Sequence, residues 1–158
     1  MKIKKYILAL LLLAILVNEQ VLQWAVAVKV GRYAVSTGFQ DAFKDFTVVG
    51  YLFFTAFRLL PYAGLGLALV LISRGRLRDY VLPIFAGGVV GILAMIVWGS
   101  WMALRPIYAG GHVSSTTAIA FIFIPLYAVL SGAIAALVAA AIYTPLRSRF
   151  IPFTLRNG

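Results

Sequence analysis

"KKYILALLLLAILVNEQVLQWAVA", residues 4–27, reads as a membrane-spanning helix with an obstacle inside it. Lysines precede an apolar run, and Asn18, Glu19 and Gln20 then arrive within the about 20 residues that a helix needs to cross a bilayer. A carboxylate in that position is costly unless something answers it, so the stretch raises two questions. One is whether the remaining chain is a membrane protein; the other is what meets Glu19.

Composition bears on the first question. The 158-residue chain is 63% hydrophobic and 11% charged, with mean hydropathy +1.01. Soluble domains run to about 45–50% apolar and about 25% charged. A water-soluble fold has no interior large enough for this excess, so it must face lipid. Segments at about 6–27, 47–72, 80–104 and 116–143 are each long and apolar enough to span. The expectation is an all-α, polytopic membrane protein forming a single domain over residues 1–158. It would be a four-transmembrane-helix bundle.

Lysine and arginine near the span ends set the orientation. With four spans, one side carries Lys2, Lys4, Lys5, Arg74, Arg76, Arg78, Arg147, Arg149 and Arg156, against Lys29, Arg32, Lys44 and Arg105 on the other. Nine against four places both termini in the cytoplasm, in a bacterial inner membrane. The first span also resembles a secretory signal, with an Ala25-Val26-Ala27 triplet. Glu19 and three amides separate the leucine run from that triplet, which favours an uncleaved anchor.

In the outer loop, residues 28–46, Phe39, Phe43 and Phe46 recur at helical spacing, with Gln40, Asp41, Lys44 and Asp45 on the other arc. A short interfacial helix is expected there, its aromatics at the membrane–water boundary. The basic tail, residues 144–158, mixes Arg147, Arg149 and Arg156 with Phe150, Ile151 and Phe153 and suits an anionic inner leaflet. The +10 charge otherwise falls in short groups between apolar runs, which argues against a nucleic-acid partner.

Helix association in lipid depends on small residues and polar bridges. Gly87, Gly91 and Ala94, then Gly132, Ala136 and Ala140, and Gly64 with Ala68 all offer close-packing ridges, for the bundle itself or for a homodimer. Pro61, Pro83 and Pro125 are expected to kink their helices.

The depth of the polar groups suggests what meets Glu19. It lies eight residues from the outer end of its span and Arg58 lies eleven from the end of the next, about one helical turn apart. Arginine's long side chain spans that offset. Gln23 follows Glu19 by one turn, and Tyr51, Thr55, Arg58 and Tyr62 make one stripe on the second span. The expectation is an intramembrane polar layer of Glu19 and Arg58, with Asn18, Gln20 and Gln23 completing hydrogen bonds.

Catalytic sets are missing. Without cysteine, and with one histidine and four acidic residues, no metal or cofactor site is expected. Arg105-Pro106 with Gly111-His112 is similar to the motifs of membrane lipid phosphatases. That family's lysine seven positions before the arginine is Trp98 here, and a second histidine is lacking. Ser114 or Ser115 beside His112 has no nearby acid to complete a hydrolase triad, and either serine or Thr116 suits a helix cap. A glutamate in the first of four spans resembles the small multidrug resistance transporters, although Arg58 stands where a cationic drug would be repelled. The span count and basic ends also resemble four-span immunity proteins against pore-forming bacteriocins.

The leading expectation is a non-enzymatic inner-membrane interaction protein of the immunity or accessory-subunit kind. It would bind another membrane protein, or its own copy, through Phe39, Phe43, Phe46, Arg105 and His112. The alternative is a small proton- or cation-coupled transporter or lipid-handling protein built on the Glu19/Arg58 layer. A sealed layer favours the first and an open cavity the second.

Overall fold

The computed structural model describes residues 3–44, 46–110 and 116–150, with the side chains of residues 116–118 and 146–150 excepted. Lys2, Asp45, His112, Ser114, Ser115, Arg156 and the rest of the tail beyond residue 150 therefore lie outside the described residues. So do the side chains of Thr116, Arg147 and Arg149.

Among the described residues the secondary structure is helical throughout: α1 Lys4–Leu16, α2 Glu19–Lys29, α3 Val35–Ala42, α4 Val48–Arg74, α5 Val81–Tyr108 and α6 Thr116–Phe150. A 3-10 turn, Arg78–Tyr80, leads into α5. Three helices are long and apolar enough to cross a membrane, and α1 with α2 makes a fourth if the bent pair counts as one span. Large apolar side chains point outward along all of them, among them Ile15 on α1, Phe53 on α4, Trp98 on α5 and Leu137 on α6. An outer surface this apolar fits a membrane-embedded protein.

The first span departs from the continuous helix expected over 6–27. It breaks at Val17 and Asn18, and the two halves meet at 49°. The cause is local. Asn18 adopts an extended backbone and its side chain accepts a hydrogen bond from the Val21 amide at 2.9 Å. Its amide nitrogen donates to the Ile15 carbonyl at 3.2 Å, so one residue closes α1 and opens α2. The hydrogen bonds that Asn18 makes go to nearby backbone rather than to Glu19 or Arg58.

The core lies where α4, α5 and α6 meet, around Leu65, Leu69, Ile92, Ile96 and Ala128. α5 and α6 form the closest pair. A Cβ on Gly87 would stand 2.5 Å from the Ala135 carbonyl oxygen, and one on Gly91 2.5 Å from that of Ser131. The ridge on α6 that meets these glycines is thus Ser131, Ala135 and Ala139, one position from the Gly132–Ala136–Ala140 series. Ser131 also donates its hydroxyl to the Gly91 carbonyl at 3.0 Å. Gly64 meets open space.

Prolines sort by position. Pro61 and Pro125 sit inside helices and are fully buried, whereas Pro83 falls in the first turn of α5, where no donor is lost and no kink results. α5 continues through Arg105 and Pro106 to Tyr108, four residues past the span expected to end at about residue 104.

α3 realises the short helix expected within residues 28–46, but it starts at Val35 and stops at Ala42. Phe43 caps it and Phe46 follows in a turn. The three rings still form a row, with centroids 4.6 Å apart for Phe39–Phe43 and 6.1 Å for Phe43–Phe46. α2 packs on α3 and α5, and α1 leans on α4, where Gly66 receives Ile7 and Leu10.

Candidate functional site

Glu19 is the first residue of α2, where the unpaired amides of a helix start favour a negative side chain. Arg58 projects from the middle of α4, which Thr47 caps by accepting from the Gly50 amide at 3.2 Å. The two side chains meet as an ion pair, Arg58 Nη2 to Glu19 Oε2, at 3.6 Å. That is longer than a hydrogen bond, so the pair gains Coulomb attraction without sharing a proton tightly. Arg58 is 9% exposed. Its Nη1 has no hydrogen-bond partner among the described residues, and neither do the buried Gln20 Oε1 and Tyr62 hydroxyl.

Beside this pair lies a cavity of about 500 Å³. Its walls come from the α1–α2 break, the end of α3 and the first half of α4. Polar groups on the wall include Asn18, Glu19, Gln20, Gln23, Asp41, Tyr51, Thr55 and Arg58; apolar ones include Leu11, Ile15, Phe46, Phe54 and Leu59. Of the stripe expected on α4, Tyr51, Thr55 and Arg58 face this space. Tyr62 does not line it, and is buried in the core instead.

Gln23 lines the cavity too, but its hydrogen bond runs away from the ion pair. Its amide donates to the Tyr108 hydroxyl at 3.0 Å, and that hydroxyl donates to Asp41 Oδ2 at 2.8 Å. This relay ties α2, α5 and α3 together, with Tyr33 edge-on to Tyr108 at 5.9 Å. Trp24 Nε1 adds a bond to the Val35 carbonyl at 3.0 Å. Asp41, expected on the solvent arc of its helix, is half-buried. Neither it nor Tyr108 was expected in the site. Periodicity assigned Asp41 to the polar arc, and Tyr108 lies past the span expected to end at about residue 104.

Phe39, Phe43 and Phe46 keep much of their surface exposed, and Phe46 also closes on Tyr51 with ring centroids 5.5 Å apart. Arg105 lies exposed in the last turn of α5, away from the cavity wall, where a cation suits the helix end. Among the described residues no three histidine or acidic side chains gather closely enough to hold a metal ion.

Chemically, the arrangement offers guanidinium donors, carboxylate and amide acceptors and a hydrocarbon wall in one space. Compared with protein-family models, with curated proteins and with solved structures, the chain matches none.

Proposed function

We propose that this chain is a small multi-pass membrane protein that binds a polar or amphipathic small molecule in the Glu19/Arg58 cavity, in transport or in lipid handling. The observation that carries this reading is the space itself. A polar layer that only joined two helices would be closed by their side chains, whereas here the ion pair borders a cavity of about 500 Å³. The broken first span supports the same reading, because discontinuous helices in transporters expose half-helix ends to their substrates. In this proposal the chain crosses a bacterial inner membrane four times, with α1 and α2 as one bent crossing and both termini cytoplasmic.

The test uses the absence of cysteine from the sequence. A Thr55→Cys reporter in native membranes should react with a small membrane-impermeant thiol reagent from one face, and occupants of the cavity should slow the reaction. A reporter inert to this reagent from both faces and also to a lipid-soluble maleimide would mean a sealed layer and would end the binding reading.

A second reading has its own observation. Phe39, Phe43 and Phe46 form an outward-facing aromatic row, the kind of surface that anchors a partner. On that reading the chain is a docking, immunity or accessory protein, its partner a membrane protein or a second copy. Specificity would then follow Phe39 and Phe43, and Glu19→Gln would act only through folding and abundance.

A further inference from the structure

The cavity has a polar floor and an apolar rim. Leu11, Ile15 and Leu59 line it and stay exposed, at 50%, 64% and 38%. Where such side chains face lipid, the cavity meets the hydrocarbon sideways. A fully water-soluble occupant would have to pass that rim, while a molecule carrying a chain would leave the chain against it.

The polar floor is mixed in sign. Arg58 is nine-tenths buried, and its Nη1 has no partner among the described residues. Nη1 is enclosed rather than open to the space, so it is as a guanidinium on the cavity wall, held only loosely by a carboxylate 3.6 Å away, that Arg58 suits an acceptor of the phosphate or carboxylate type. Glu19 and Gln20 line the cavity from the first turn of α2, the end of a helix that favours an anion. Yet Glu19 already offsets Arg58, and Asp41 adds a second carboxylate to the wall. A purely anionic occupant would meet two like charges, and a purely cationic one would leave Arg58 unanswered. A ligand carrying both signs satisfies both.

Resting on the ligand-binding reading above, we propose that the cavity receives the headgroup of a zwitterionic amphiphile. Its anionic oxygens lie on Arg58, its primary ammonium on the carboxylates of Glu19 and Asp41, and its chain against Leu11, Ile15 and Leu59. An amine-bearing phospholipid has this chemistry. A quaternary ammonium fits less well, because it has no N–H to give the carboxylates.

The experiment titrates purified full-length protein in non-ionic detergent with short-chain phosphatidylethanolamine, phosphatidylglycerol and phosphatidylcholine, and with phosphoethanolamine. Bound ligand is read by native mass spectrometry. The ethanolamine lipid should bind about tenfold or more tighter than the glycerol lipid, the worth of one charge-assisted hydrogen bond. Arg58→Gln should abolish binding and Asp41→Asn should erase the preference. Thr55→Phe, which fills the cavity and keeps every charge, should block binding in a protein that still elutes as a single species. That variant decides the matter even where Arg58→Gln fails to fold.

Equal or tighter binding of the glycerol lipid would overturn the zwitterion assignment while leaving a ligand-binding cavity. Phosphoethanolamine binding as tightly as the lipid would overturn the amphiphile and point to a soluble zwitterion. No difference between wild type and Thr55→Phe for any ligand would overturn both proposals.

Discussion

Tyr108, the last residue of α5, donates its hydroxyl to Asp41 at 2.8 Å, joining positions 67 residues apart. The same oxygen receives Gln23, so three helices share one phenol. Tyr108→Phe would leave an acceptor and a donor without their partner, a cost of about 1–3 kcal/mol. The expected outcome is a lower midpoint of thermal unfolding in detergent, together with faster amide exchange across α3. Unchanged exchange in α3 would mean that the relay does not hold it.

The Glu19–Arg58 pair should show up in a double-mutant cycle. Removing one partner of a fully buried pair costs about 3–5 kcal/mol. Glu19 keeps 21% of its side chain exposed, so the loss should fall below that range. Arg58→Leu in a Glu19→Gln background should cost less than in wild type, with a coupling of about 1 kcal/mol. Strictly additive losses would show that the two side chains act independently.

Asn18 sets the bend. Asn18→Leu removes the cap and restores an apolar residue, so α1 and α2 should merge into a straighter helix. Spin labels at Leu8 and Lys29 should then move farther apart than the 49° break allows. An unchanged distance would place the cause of the bend elsewhere.

The glycines divide by what surrounds them. Gly87→Ala drives a methyl into the Ala135 carbonyl and should cost about 1–3 kcal/mol. Gly64→Ala meets nothing within 4 Å and should gain about 0.5–1 kcal/mol from helix propensity. The two variants should shift the unfolding midpoint in opposite directions.

Orientation is the fifth prediction. A reporter fused after Gly158 should be active only as a cytoplasmic probe, following the nine-to-four bias of basic residues. Activity only on the opposite face would reverse the topology.

The helices were legible in the sequence because apolar length is a one-dimensional property, and so was the depth match of Glu19 with Arg58. The break at Asn18 was half legible. Its residues stood out, but "NEQ" was read as polar groups seeking partners across the bundle, although Asn is among the best residues for starting a helix. The Tyr108–Asp41 bond was not legible, because it depends on α5 running past Pro106 and on how α3 folds back. Pro83 misled for a related reason: a proline's effect depends on its position within the helix, and no helix start was marked before Val81.

The joint at Asn18 has a mechanical consequence. A span answers a thicker or thinner bilayer by tilting, and a continuous helix would carry that tilt to every side chain along it. Here Glu19 belongs to α2, which is moored to α3 by Trp24 and to α5 by Gln23. If α1 and α2 form one bent crossing, a change in bilayer thickness would be taken up first by the 13-residue arm of α1, across the joint from Glu19.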